Sequence, residues 1–149
     1  MSMLVICDQP VELEAMLQVA CAAGLRDVIG FGHPAGALDW CESNVPDLVM
    51  VDFLMRASDG LEVIRRLRAN PALAGVPLVL MLPHGFESVS AAAWQQGATD
   101  FLAKPVDPTE FVARARNLLS LRHARLASDQ ALQDWQATPA RVAPPAHVH

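Results

Sequence analysis

Residues 46–68 read PDLVMVDFLMRASDGLEVIRRLR, and they carry the pattern on which the fold turns. Leu48, Val49, Met50 and Val51 form a run with no polar residue, bounded by Asp47 and Asp52. A short continuous apolar run of this kind suits a strand covered on both faces, as in a parallel sheet. Asp59 and Gly60 then turn the chain. Leu61, Ile64 and Leu67 recur at helical spacing, with Arg65, Arg66 and Arg68 available to solvent.

Outward from this stretch the same two kinds of segment alternate. Further strands are expected over residues 3–7, 28–31, 76–82 and 99–103, with the third at 48–51. A first helix carries Val11, Ala15, Leu17 and Ala20 along one stripe, and 35–41 suits a short second one. Residues 87–96 suit a fourth helix, ended by Gly97 as C-cap. Asp107 then caps a fifth helix, with Pro108 in its first turn and Glu110 at the third position, and this helix extends to about Gln136. Five strands alternating with five helices predict one α/β domain, a doubly wound parallel five-stranded sheet with right-handed crossovers.

Composition agrees. The 149 residues suffice for one domain, and 52% of them are apolar. A net charge of −5 argues against direct nucleic-acid binding, which requires a basic face. No apolar run is long enough for membrane insertion, and no basic, then apolar, leader is visible. Cys7, Cys21 and Cys41 are odd in number and lack metal-ligand spacing, which suits a reducing, cytoplasmic setting.

In a doubly wound sheet, sites lie outside the carboxyl ends of the strands. Asp8 follows the first strand, Asp52 ends the third and Lys104 follows the fifth, so three charged groups converge on one edge. Lys104 is the one lysine among ten arginines. Its compact ammonium suits a small anion better than a planar guanidinium does. Two carboxylates and an ammonium suggest a divalent cation beside a phosphoryl site, because Mg2+ takes hard oxygen ligands and keeps several waters. The same charges would also suit a structural ion pair.

Together, Asp8, the stretch around Asp52, VPLVLMLPHG at 76–85 and GATDFLAKP at 97–105 resemble a response-regulator receiver domain over roughly residues 3–121. The resemblance implies a flavodoxin-like (βα)5 fold and two-component signalling through protein contacts. It implies that Asp52 accepts a phosphoryl group from a histidine kinase or phosphotransfer protein. It also implies Mg2+ held by Asp8, Asp52 and the Leu54 backbone carbonyl, with Lys104 at the phosphoryl group. A homodimer or an output partner would use the face of the fourth helix, fifth strand and fifth helix. The competing reading is a pseudo-receiver, an interaction scaffold indifferent to phosphate. A flavin carrier on this fold is disfavoured, since the loop CDQP at 7–10 is acidic and carries a proline where a phosphate would need a cradle.

The sequence departs from the family at two important positions. Cys7 replaces an acid. At about 5 Å and an effective dielectric near 20, such a charge attracts Mg2+ by at most roughly 6–7 kcal/mol, so weakened rather than abolished binding is expected. Carboxylates nearby disfavour a redox-active thiolate at Cys7, which reads better as a small residue closing the strand. Leu82 replaces a Ser or Thr whose hydroxyl would bond the phosphoryl group and couple to Phe101. Arg56 stands where Pro is common, and covers its loop or reaches a phosphoryl oxygen. His84 stands beside the mouth, as a gate or as a solvated loop residue. Trp94 offers packing or recognition.

Residues 1–121 are thus read as the receiver, 122–137 as a helical extension with a poor heptad, and 138–149 as a disordered tail. The stretch FLAKPVDPTEFVARARNLLSLR at 101–122 is similar to receivers that precede HD-type cyclic-di-GMP phosphodiesterase domains. The sequence holds no His-Asp dipeptide and no tyrosine, so the signatures of that output class are absent from it.

Overall fold

A computed structural model describes residues 1–137. The expected tail at 138–149 lies outside the described residues. The chain runs β1 (Met3–Ile6), α1 (Pro10–Ala22), β2 (Val28–Phe31), α2 (Pro34–Ser43), β3 (Leu48–Asp52), α3 (Gly60–Arg68), β4 (Leu78–Pro83), α4 (Ser90–Gln96), β5 (Asp100–Lys104) and α5 (Pro108–Ala137). All strands pair in parallel in the order β2-β1-β3-β4-β5. The order reverses between β1 and β3, so the crevice that doubly wound sheets use for function opens at the ends of those two strands.

Alternation along each strand sorts the core into two layers. Leu4, Ile6, Val49, Val51, Leu78 and Leu80 meet Ala37, Cys41, Val63, Ile64, Leu67 and Ala93 of α2, α3 and α4. Met3, Val5, Leu48, Met50, Val79 and Met81 meet Met16, Ala20, Phe111 and Ala115 of α1 and α5. The period-2 geometry of a strand buried on both faces accounts for this partition.

Several local expectations shift. On α1 the buried stripe is Met16 and Ala20, flanked by Leu13 and Leu17, whereas Val11 and Ala15 face outward. Pro10 starts the helix at its first turn. Residues 87–96 divide into a 3-10 turn at Glu87–Val89 and a short α4. On α3, Val63 joins Ile64 and Leu67 in the core. Arg68 is not solvent-directed: it donates to the carbonyls of Leu73 and Gly97 at 2.6 and 2.9 Å, clamping α3 to the loops before β4 and β5. Gly97 ends α4 in the left-handed region at φ +109°, as a C-cap glycine does. The Asp107 carboxylate accepts from the Thr109 N–H at 2.9 Å at the start of α5.

Gly60 ties this frame to the crevice. Its N–H donates to the Phe53 carbonyl at 2.7 Å, closing the loop after β3. A Cβ at Gly60 would lie 2.5 Å from the Asp52 carbonyl oxygen and 2.9 Å from Phe53 Cα, both of them backbone atoms. Asp59 accepts from the Glu62 N–H at 2.9 Å and caps the helix just beyond. Gly60→Ala is therefore expected to destabilise the fold by about 1–3 kcal/mol through overpacking. A fall in the urea midpoint with an unchanged slope would record it.

Candidate functional site

The crevice is built by three strand ends and one helix start. Asp52 ends β3 with its side chain 0% exposed, while the other buried residues among those described are apolar. Lys104, from the end of β5, places Nζ 3.0 Å from Asp52 Oδ2. The same ammonium lies 2.7 Å from Oε2 of Glu12, in the first turn of α1. Cys7, just after β1, donates its thiol to Asp52 Oδ2 at 3.4 Å, with Glu12 Oε2 at 3.7 Å and the Gln9 carbonyl at 3.8 Å. Asp52 Oδ2 thus has two donors, and Lys104 bridges two carboxylates.

Asp8 lies two residues past the end of β1. Its Oδ2 accepts from the Arg56 N–H at 2.7 Å. Asp8 Oδ1 and Asp52 Oδ1 are the two buried side-chain polar atoms among the described residues that have no hydrogen-bond partner. A buried carboxylate oxygen without a donor is costly, which makes these two oxygens candidate ligands for a cation. A second grouping is possible on distance alone, since ligand atoms of Cys7, Glu12 and Asp52 lie within 4.8 Å of one another. The Lys104 ammonium already lies against two of those three groups and would repel a metal there. Hard oxygen donors also suit Mg2+ better than a thiol does.

The charges set the protonation of their neighbours. Burial pulls the Lys104 ammonium toward release of its proton. Its hydrogen bonds to Glu12 and Asp52, and their charges, outweigh that and hold its pKa above the ordinary lysine value. The ion pair's contribution to stability is therefore complete below the lysine range and is lost as pH rises through the raised value. Burial above all, together with Asp52 and Glu12, pushes the Cys7 thiol up to about 12.

Leu82 is 6% exposed, and Phe101 packs against the same apolar cluster. Phe101 meets Trp94 edge-on with ring centroids 4.8 Å apart, and Trp94 is 53% exposed. Leu54 stands half-exposed after β3. The His84 side chain is 96% exposed and faces Glu87 at 3.5 Å. Arg56 engages the site through its backbone, and its side chain is exposed.

Glu12 is the participant missed in the sequence. The signal was available, because the first turn of the helix after β1 opens at the same sheet edge as Asp8. An acid there is equally at home as a favourable partner of the helix dipole, which is how it passes unnoticed.

At pH 8 a thiol with a pKa near 12 holds roughly one part in ten thousand as thiolate, the reactive form. In the native protein, Cys21, which is exposed, should therefore react with a disulfide reagent while Cys7 and Cys41, both buried, stay silent. Mass mapping after brief labelling checks this. Labelling of Cys7 should rise tenfold per pH unit up to the onset of unfolding.

Residues 3–116 match the family model of the response regulator receiver domain. The chain is 40% identical over 121 residues to the cyclic di-GMP phosphodiesterase response regulator RpfG of Xanthomonas campestris pv. campestris, covering 80% of this chain and 32% of that protein. It is 29% identical over 123 residues to the response regulator Rre1 of Synechocystis, covering 83% of this chain and 53% of that one. The chain therefore spans about a third and about half of these two relatives. Among solved structures, a candidate response regulator of Chloroflexus aurantiacus superposes with a TM-score of 0.74 at 30% identity, covering 80% of this chain and 97% of that chain. The receiver domain of the sensor histidine kinase PA1611 of Pseudomonas aeruginosa, crystallised with a magnesium ion in its active-site cleft, shares the fold with a TM-score of 0.71 at 22% identity, covering 80% and 97% of the two chains. With five parallel strands in the observed order and a charged crevice at the β1 and β3 ends, this chain belongs to the response regulator receiver domain family.

Proposed function

We propose that Asp52 accepts a phosphoryl group from a histidine kinase or phosphotransfer protein. The observation that carries this is the state of the Asp52 carboxylate. It is wholly buried, one oxygen is held by Lys104, and the other is unpartnered, as is one oxygen of Asp8. A structural ion pair has no use for two orphaned oxygens.

In the proposed step, Asp52 Oδ2 attacks phosphorus, and the bond from phosphorus to the histidine nitrogen breaks. Its electron pair returns to the imidazole, which takes a proton from water. The product is an aspartyl phosphate, and the protein's contribution is position and charge. Lys104 needs only a short swing of its flexible stem to follow the charge from Asp52 Oδ2 to a phosphoryl oxygen.

The residues fit Mg2+, which Asp8, Asp52 and the Leu54 carbonyl would hold. When bound, the ion neutralises charge on the transferring group. Cys7 brings a protonated thiol where an acid would add attraction, so affinity is expected to be weak. As a regulatory rather than catalytic domain, the protein would act through contacts. Trp94, exposed on α4 and set against Phe101 of β5, supports the face of α4, β5 and α5 as the place where a second copy or an output partner docks. No helix among the described residues is long and apolar enough to cross a membrane, and we place the chain in the cytoplasm, where its kinase partners would act.

Leu82 favours a second reading, the phosphate-indifferent scaffold. An apolar side chain fills the place where a hydroxyl would report the phosphoryl group to Phe101. Intact mass after incubation with acetyl phosphate decides between the two. One added phosphoryl group is expected in the presence of Mg2+. None is expected with a chelator or in Asp52→Ala. No adduct under conditions that label an ordinary receiver would establish the scaffold.

A further inference from the structure

Lys104 is closer to Glu12 than to Asp52, at 2.7 against 3.0 Å. Its side chain is 16% exposed and that of Glu12 is 47% exposed, so the ammonium lies inside the crevice while its outer partner stands at the lip. One positive charge is thus shared between an inner and an outer carboxylate. The remaining neighbours on this side are the Cys7 thiol, 3.4 Å from Asp52 Oδ2 and 3.7 Å from Glu12 Oε2, and the apolar Ala15, Met16, Pro105 and Val106.

We infer that Glu12 is a positioning residue that competes with the phosphoryl group for Lys104. This rests on Asp52 being the acceptor. Before transfer, Glu12 and Asp52 together hold the ammonium across the mouth. A phosphoryl dianion on Asp52 presents more charge than the carboxylate it replaces, and it is less screened than Glu12 at the lip. Lys104 passes to the phosphoryl oxygens and Glu12 is released. Release costs little, because Glu12 lies in the first turn of α1, where the helix dipole favours a free carboxylate. No covalent bond changes in this exchange.

The exchange gives the site an outlet that does not involve Leu82. The same helix packs through Met16 and Ala20 in one cluster with Phe111 and Ala115 of α5, and Arg116 of α5 donates to the Ala23 carbonyl at the end of α1. Freeing the first turn of α1 therefore alters a helix already joined to α5.

Two measurements on Glu12→Gln, in the full chain, test the inference. Lys104 is the sole lysine, so amine labelling followed by peptide mapping reads its ammonium directly, apart from the terminal amine. With no phosphoryl ligand present, Lys104 should label about two- to fivefold faster in Glu12→Gln, in proportion to the loss of a half-exposed ion pair. An unchanged rate would show that Glu12 does not hold the ammonium and would overturn the inference. Beryllofluoride with Mg2+ then serves as the phosphoryl mimic, followed by calorimetry. Glu12→Gln should bind it about two- to fivefold more tightly than the parent, because Lys104 is no longer withheld. Equal or weaker binding beside faster labelling would overturn the competition. If neither protein binds beryllofluoride or gains mass from acetyl phosphate, the acceptor role of Asp52 falls and the competition falls with it, while the labelling result still stands for the ion pair.

Discussion

A carboxylate removed from water has to be met by opposite charge and by donors, and Asp52 is such a carboxylate. Its place is dictated by β3, the central strand of the sheet, whose last residue it is. Lys104 must come from β5, two strands away, because β4 between them ends in Leu82 and Pro83 and offers no charge. The crossover connections, the clamp of Arg68 between loops and the close approach at Gly60 all bear on how accurately these two strand ends face each other. A shift of one residue in either register would turn Asp52 or Lys104 to the other face of the sheet. The sheet order and the ion pair are in that sense one constraint.

Much of this was legible in the sequence. The five apolar runs and the helical stripes gave the architecture because parallel strands and crossover helices leave strong periodic signals. Asp8, Asp52 and Lys104 could be placed at one edge without coordinates, since each follows or ends a strand and parallel strands share a direction. The phase of α1 was not legible. Val11, Ala15, Leu17 and Ala20 make a plausible stripe on paper, but tertiary packing against the sheet and α5 buries Met16 with Ala20. Glu12 was hidden for a related reason. A helix's first turn meets the crevice through tertiary packing, and its contact with Lys104 spans 92 residues of chain.

Cys7 and Leu82 exchange polar function for packing in different ways. Cys7 stays within the charged cluster as a donor, so it changes the sign of what the crevice offers at that point: a hydrogen toward Asp52 rather than a charge toward a cation. Leu82 withdraws from polar contact altogether and joins the core beside Phe101. Together they leave Asp8, Asp52, Glu12 and Lys104 as the charged set of the crevice, three carboxylates to one ammonium.

The helix α5 runs 30 residues, yet its buried residues, Phe111 and Ala115, lie in its first third. Beyond Arg122, which meets Asp47 at 3.3 Å, every residue through Ala137 is exposed. Helix initiation is the unfavourable step and elongation is close to neutral. The packed base therefore acts as a nucleus, and the outer turns persist on a margin of a few tenths of a kcal/mol each, as in the Gln130–Asp134 contact. Such a segment melts from its end inward as temperature rises. Its average length is then a continuous variable, one that any surface laid along it would lengthen.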